Sequence, residues 1–159
     1  MASLWSRLFS QRQAALDYEQ VVLLDAEYLA EQGIGEAYKK LLPELQKYIA
    51  QPVELEEVID AELGSYAIRC NGQEYLIYSP NEPGSARESW GRATYFFFLF
   101  VNSQLTSSSV RFYAINGGND LGGMFLTPEQ AKAARYGLPC KFDWPYIPEF
   151  GEPWWGQFH

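Results

Sequence analysis

The chain has 159 residues, is 47% apolar and 16% aromatic, and carries 12 basic against 20 acidic residues for a formal charge of -8. That length and apolar content are enough to bury a core without a metal or disulfide framework, which excludes a disordered chain. The acidic balance repels nucleic acid phosphates and anionic lipids, so we expect neither as a partner and a basic protein surface instead. An acidic surface also keeps a cytosolic protein soluble, and this simpler interpretation stays open.

The first third of the chain is predicted to be helical. Apolar residues at helical spacing within residues 1–17 predict a helix that docks on the rest of the domain, with a small interfacial helix as the alternative. A second helix is expected over 26–32, which Gly33 and Gly35 would end. A third is expected over 34–49, where the apolar residues form one stripe.

Alternating residues predict an antiparallel meander after residue 52. Apolar and mostly acidic residues alternate over 53–63, which is typical of a half-exposed strand. A strand over 65–70 and another over 74–78 flank Asn71-Gly72, which is a strong short-range signal for a hairpin.

The middle of the chain is predicted to hold one long loop and two further strands. The loop, 81–91, would deliver Trp90 to the start of the next strand. Residues 92–105 are apolar on both faces through their middle, which predicts a central strand covered on both sides. Residues 110–116 are predicted to form the strand next to it.

The glycine-rich segment GGNDLGG, residues 117–123, is predicted to be a bent connection. Gly122 and Gly123 would interrupt pairing a second time, so that only 124–126 forms a brief strand. The segment lacks both the lysine of a P-loop and the GxGxxG order of a dinucleotide site. A second interpretation makes it a partner-contacting loop to which Asp120 adds a negative charge.

A short helix near 127–136 and an aromatic tail complete the chain. Thr127, Pro128 and Gln130 match an N-cap, a first-turn proline and a capping box. The tail, 138–159, is rich in both proline and aromatic residues, so we expect irregular backbone with packed rings.

These segments predict an α+β fold in one domain over residues 1–159. Its N-terminal helices would pack on an antiparallel sheet of about five or six strands, followed by the short helix and the irregular tail. Cys70 and Cys140 favour free thiols, although a disulfide between them stays open. The start of the chain lacks the pattern of a signal peptide, so we expect a cytoplasmic protein.

Side chains for catalysis are scarce. The single histidine, His159, is the last residue, which disfavours nucleophile and histidine pairs. Ligand spacing for a metal and binding motifs for a cofactor are missing from the sequence, so we expect no catalytic residue, metal or cofactor. Two carboxylates would suffice for a small enzyme acting on a sugar or nucleotide, and this remains an alternative.

Two sets of residues are candidates for binding a partner. The first is a row of acids on the predicted strand, here called the acidic ridge, which is either a solvated face or a surface that steers a basic partner. The second is a set of aromatic residues on loops and tail, which either pack as a lid or anchor an interface. The ridge comprises Glu54, Glu56, Asp60 and Glu62, with Glu57 nearby; the aromatic set comprises Trp90, Trp144, Tyr146, Trp154 and Trp155.

The chain resembles the immunity proteins of bacterial toxin systems, those of contact-dependent inhibition and of polymorphic or type VI effectors. The resemblance lies in size, acidity, the order of helices and sheet, and an aromatic end with DWPY at 143–146 and PWWGQFH at 153–159. It implies a cytosolic inhibitor that covers the active site of a cognate toxin, such as a basic nuclease. A structural or regulatory subunit of a larger assembly is a third hypothesis, and the sequence leaves the oligomeric state open.

Overall fold

The structure is a computed structural model that describes residues 16–158. Residues 1–15, which hold most of the helix predicted over 1–17, lie outside that range, as does His159. The α+β class is confirmed. Four α-helices are described: α1 (Ala26–Tyr28), α2 (Ile34–Leu45), α3 (Ser85–Ser103) and α4 (Pro128–Gly137). Six strands are described: β1 (Val22–Leu23), β2 (Leu55–Asp60), β3 (Ser65–Cys70), β4 (Gln73–Tyr78), β5 (Arg111–Ile115) and β6 (Gly122–Leu126).

The six strands divide between two antiparallel three-stranded sheets. The first has the order β1-β6-β5, and the second is the meander β2-β3-β4. In the meander, Glu57 lies opposite Ile68, and Arg69 lies opposite both Glu56 and Glu74. The predicted hairpin turn is confirmed, because Asn71 and Gly72 have φ values of 50° and 78° and thus supply the two left-handed positions that such a turn needs.

The prediction of a central strand over 92–105 is wrong, because this segment belongs to helix α3. Its buried residues recur at helical spacing, with Ala93, Phe97 and Val101 four residues apart on one face. Both sides of the helix are covered, since it packs against β4 of one sheet and β5 of the other. A helix surrounded in this way is apolar all round and has the composition of a buried strand. The segment 92–105 has 14 residues, more than a usual strand, and this length was the signal for a helix.

The expected loop over 81–91 is also shorter than predicted, because α3 begins at Ser85. The buried Ser85 hydroxyl donates to the Ser79 carbonyl at 2.7 Å and accepts from the Ser79 N–H at 3.1 Å, which joins the end of β4 to the start of the helix. Trp90 therefore lies on a helix and not on a loop.

The first sheet lies between α3 and α4. Phe112 and Ala114 of β5 face the main core, whereas Ile115 joins Met124 and Leu126 under α4. Asn102 of α3 ties helix to strand, since its side-chain amide donates to the Phe112 carbonyl at 2.9 Å and accepts from the Phe112 N–H at 2.7 Å.

Two predictions about glycines are corrected. Gly122 and Gly123 do not interrupt pairing but lie within β6, because the Phe112 ring occupies the space where a Cβ of Gly123 would sit. Gly33 and Gly35 do not end a helix. Glu31 and Gln32 leave helical geometry, Gly33 precedes the first residue of α2, and Gly35 lies inside its first turn.

The C-terminal part follows the sequence prediction closely. The Thr127 hydroxyl accepts from the Gln130 N–H at 3.1 Å while the Gln130 side chain accepts from the Thr127 N–H at 2.8 Å, which completes the capping box of α4. Beyond α4 the backbone is irregular and lies beside the edge strand β5, where Tyr146 exchanges two backbone hydrogen bonds with Ala114 at 2.7 and 3.0 Å.

Candidate functional site

The structure brings four of the five predicted aromatic residues together. Trp90, Tyr146, Trp154 and Trp155 line one depression of about 240 Å³, together with Gly117 and Gly118 of the glycine-rich segment. We call this depression the aromatic cleft. Its wall thus combines the first half of α3, the β5–β6 connection and the tail.

Two of these aromatic residues are fixed by close contacts. The Trp155 ring lies on Gly91 of α3, so closely that a Cβ at Gly91 would come within 2.1 Å of the ring. The Phe150 ring meets Trp155 edge-on at 5.0 Å. The Tyr146 hydroxyl donates to the Asn116 carbonyl at 2.6 Å, and burial raises the pKa of Tyr146 to about 12. These contacts give the cleft a rigid base.

The other two aromatic residues present their rings to solvent. Trp90 is 41% exposed and Trp154 is 55% exposed. From Trp154 the aromatic surface continues through Phe158 at 5.3 Å to Phe142 at 4.7 Å, and Phe142 is 62% exposed. Exposed apolar surface of this kind, supported by fixed rings, is typical of binding sites for proteins or ligands.

Charged and polar groups at the rim escaped the sequence prediction. Arg87 pairs with Glu152 at 3.2 Å, which joins α3 to the tail next to Pro153, and Gln157 also lines the cleft. Arg87 stands three residues before Trp90, so the two share a helix face. Had residues 85–103 been predicted as a helix, the spacing of Arg87 and Trp90 would have placed Arg87 at the cleft.

The remaining aromatic candidate, Trp144, does not line the cleft. Its indole N–H donates to the Leu138 carbonyl at 2.9 Å, and its ring packs against the small core under α4. Arg135 and Lys141 lie over the ring at 5.9 and 5.7 Å. These contacts make Trp144 a residue that holds the tail to α4.

Asp120 lies exposed on the short turn Gly118–Asp120 and lines a neighbouring depression with Asp25 and Asn119. Asp25 there accepts from the N–H groups of Glu27 and Tyr28 at 3.0 and 3.3 Å, which caps α1. One end of the glycine-rich connection thus faces the aromatic cleft, while its acidic end faces solvent.

The acidic ridge lies on and beside β2, as predicted, and its four members are exposed. Glu56 pairs with Arg69 at 3.0 Å, and Asp60 accepts from the N–H groups of Glu62 and Leu63 at 3.1 and 3.0 Å in the turn that follows. Glu54 and Glu62 flank the strand. Because these carboxylates are exposed, solvent weakens each individual ion pair. Their combined negative potential still attracts a basic partner as it approaches.

Glu57 differs from the ridge, because it is half-buried on the opposite face of β2. Its carboxylate accepts from the Tyr66 hydroxyl at 2.7 Å, and this hydroxyl accepts in turn from the Ile34 N–H at 3.2 Å at the start of α2. Burial and the hydrogen bond to Glu57 together raise the pKa of Tyr66. A Cβ at Gly35 would lie 2.2 Å from a Glu57 oxygen, so the Glu57 side chain packs closely against the first turn of α2.

Glu57 also lines a larger depression of about 610 Å³ between α2 and β2. Its walls include Tyr38 and Leu42 of α2, and Glu54 and Glu56 lie along its rim. We call it the acidic groove. Gln104 joins two of the residues that line it, since its side chain accepts from the Val53 N–H at 2.8 Å and donates to the Tyr38 hydroxyl at 3.1 Å.

A comparison with known protein families, curated proteins and solved structures finds no match to this chain.

Cys70 is buried in β3 and Cys140 is exposed, and both are free thiols. No helix within residues 16–158 is long and apolar enough to cross a membrane.

Proposed function

We propose that this chain is a cytoplasmic immunity protein that binds a cognate toxin, a basic enzyme such as a nuclease, and covers its active site. The observation that carries this proposal is the aromatic cleft. Three distant chain segments converge to hold Trp90 and Trp154 exposed against fixed neighbours. Tryptophan in this setting is among the commonest anchors of protein interfaces, because its ring buries a large area at little entropic cost.

The charge distribution supports a basic partner. The chain carries -8 overall, and the acidic ridge stands exposed on one strand. An enzyme that binds nucleic acid presents a cationic surface, which such a ridge attracts over distances near the Debye length. In this proposal the aromatic residues hold the partner, and the acids speed its arrival.

Growth rescue tests the proposal. We expect an open reading frame immediately upstream of this gene to encode a large secreted protein, part of which is toxic when produced in the cytoplasm. Coexpression of the present chain should restore colony formation. Trp90→Ala combined with Trp154→Ala should abolish rescue while circular dichroism shows a folded protein.

A matched control is Tyr136→Ala. Tyr136 is 84% exposed on α4 and lies outside the cleft. The substitution therefore removes a similar exposed ring elsewhere on the surface, and rescue should persist. The proposal is wrong if the double variant protects as well as the natural chain. It is also wrong if the purified protein turns over a glycan or nucleotide and loses that activity when an acid is replaced.

A further inference from the structure

The outer edge of β2 is open within the described part of the chain. Strand order in the meander is β2-β3-β4, so β2 pairs on one side with β3 and on its other side with no described strand. Every second residue of such an edge directs its backbone N–H and C=O groups outward. These groups require either water or a further strand as partner.

The acidic groove lies along this same edge. Leu55 and Glu57 of β2 and Leu42 of α2 line it, and among residues 16–158 Lys39 is its one lysine or arginine. Ile59, on the same strand face as Leu55 and Glu57, is 47% exposed and prolongs the apolar surface. Side chains of an added strand would therefore meet apolar surface and Glu57 on one face, and Glu54 and Glu56 on the other.

We propose that the acidic groove binds an extended basic segment of the partner, which pairs with the outer edge of β2 as a fourth strand. This inference rests on the proposed function and names how the partner is held on its acidic side. Main-chain hydrogen bonds supply affinity in this mode, and alternate side chains supply specificity. Six residues of β2 offer an edge of about 20 Å, which sets the length of the segment.

Charge selects the occupant. An antiparallel second copy would place the acids of one β2 against those of the other, and like charges directly opposite destabilise a pair of strands. The same carboxylates that protect the edge from self-association accept lysine or arginine. We therefore expect a segment in which basic and apolar residues alternate.

The probe is a library of random dodecapeptides displayed on phage and selected against the full chain. We expect enrichment of sequences with Lys or Arg at alternate positions. A selected peptide, made synthetically, should shift the NMR amide signals of 54–59. Methylation of its alternate backbone nitrogens should abolish binding in one register and be tolerated in the other, since only one set of amides faces β2.

Four exposed or half-exposed positions give matched variants. Combining Glu54→Gln with Glu57→Gln should raise the peptide Kd at least about tenfold. Lys39→Glu should lower the Kd, because it replaces the groove's cation with a further acid. Glu62→Gln removes one ridge charge outside the groove and should leave the Kd unchanged at about 0.15 M salt, where screening acts within about 8 Å.

Three results would overturn the proposal: no enrichment of basic peptides, binding that tolerates methylation in both registers, or signal shifts confined to the aromatic cleft. Analytical ultracentrifugation gives a fourth such result. If the protein dimerises and the variant with Glu54→Gln and Glu57→Gln dimerises more strongly, the groove binds a second copy of the chain and the proposal is wrong. Failure here is separable from failure of the immunity function. If the tryptophan variant still loses growth rescue while the groove variants keep it, the function stands and the groove has no part in it.

Discussion

The aromatic cleft and the acidic groove are assembled in opposite ways. The cleft joins residues from α3, the β5–β6 connection and the tail, and its base is fixed by the contact of Trp155 with Gly91 and by the buried hydroxyl of Tyr146. The groove is built from α2 and the neighbouring residues 52–57, and its rim carries exposed carboxylates. Of the residues that the structure describes, none lines both. The cleft offers rigid apolar anchors, which set binding strength, whereas the groove adds exposed charge, which also raises the rate of encounter.

The largest expected effect separates these two roles kinetically. Trp90→Ala with Trp154→Ala should weaken toxin binding by on the order of 100-fold, almost entirely through faster dissociation. Neutralising the two ridge acids outside the groove, with Asn at 60 and Gln at 62, should instead slow association at low salt and leave dissociation unchanged. Surface plasmon resonance over a salt series measures both rates, with Tyr136→Ala as the control. An association rate unaltered by the ridge variant would remove the ridge from the mechanism.

The next effect tests whether the tail is locked onto α3. Gly91→Ala in a helix ordinarily stabilises a protein by about 1 kcal/mol. Here the added Cβ would collide with the Trp155 ring, so we expect a loss of about 1–3 kcal/mol in unfolding free energy, together with a change in tryptophan fluorescence. Urea denaturation gives the value, and Ser89→Ala on the same helix is the control. If Gly91→Ala instead raises the unfolding free energy by about 1 kcal/mol, as at a solvent-exposed helix position, the Trp155 ring does not pack on Gly91.

Tyr146 offers a test by pH. Its folded-state pKa, raised by burial to about 12, lies above the ordinary value near 10, so the folded protein holds this proton more tightly. The resulting stability is complete below about pH 10 and declines as pH rises toward 12. Tyr146→Phe should cost about 1 kcal/mol near neutral pH through the lost hydrogen bond to Asn116, and should make the alkaline decline shallower. Urea midpoints between pH 8 and 11.5 measure both, and an unchanged slope would contradict the assignment.

The smallest effect concerns the ridge in the isolated protein. The neutralised ridge variant should have a melting temperature equal to or slightly above that of the natural chain. Its charges are exposed, and removing like charges relieves repulsion, while Asn at 60 can still accept the hydrogen bonds of the turn. Differential scanning calorimetry checks this. A marked fall would mean that the acids serve stability and not encounter.

Local rules of sequence predicted the elements that depend on neighbouring residues. The capping box at Thr127, the hairpin turn at Asn71-Gly72 and the alternation along β2 each require only residues a few positions apart. Helix α3 could not be predicted in the same way, because a helix covered on both sides loses the polar stripe that identifies it. The expected position of Trp90 on a loop failed for the same reason.

The candidate site divides along the same line. The sequence alone identified the exposed acids of β2 and a set of aromatic residues with no place in a periodic segment. It could not decide that Trp90, Trp154 and Trp155 meet while Trp144 packs elsewhere, or that Glu57 turns inward to Tyr66. Local composition and spacing determine how each segment folds, because turns, caps and pleats are short-range. Which segments meet is decided by burial of the whole core, since a tail residue such as Trp155 and its partner Gly91 on α3 are far apart in the sequence.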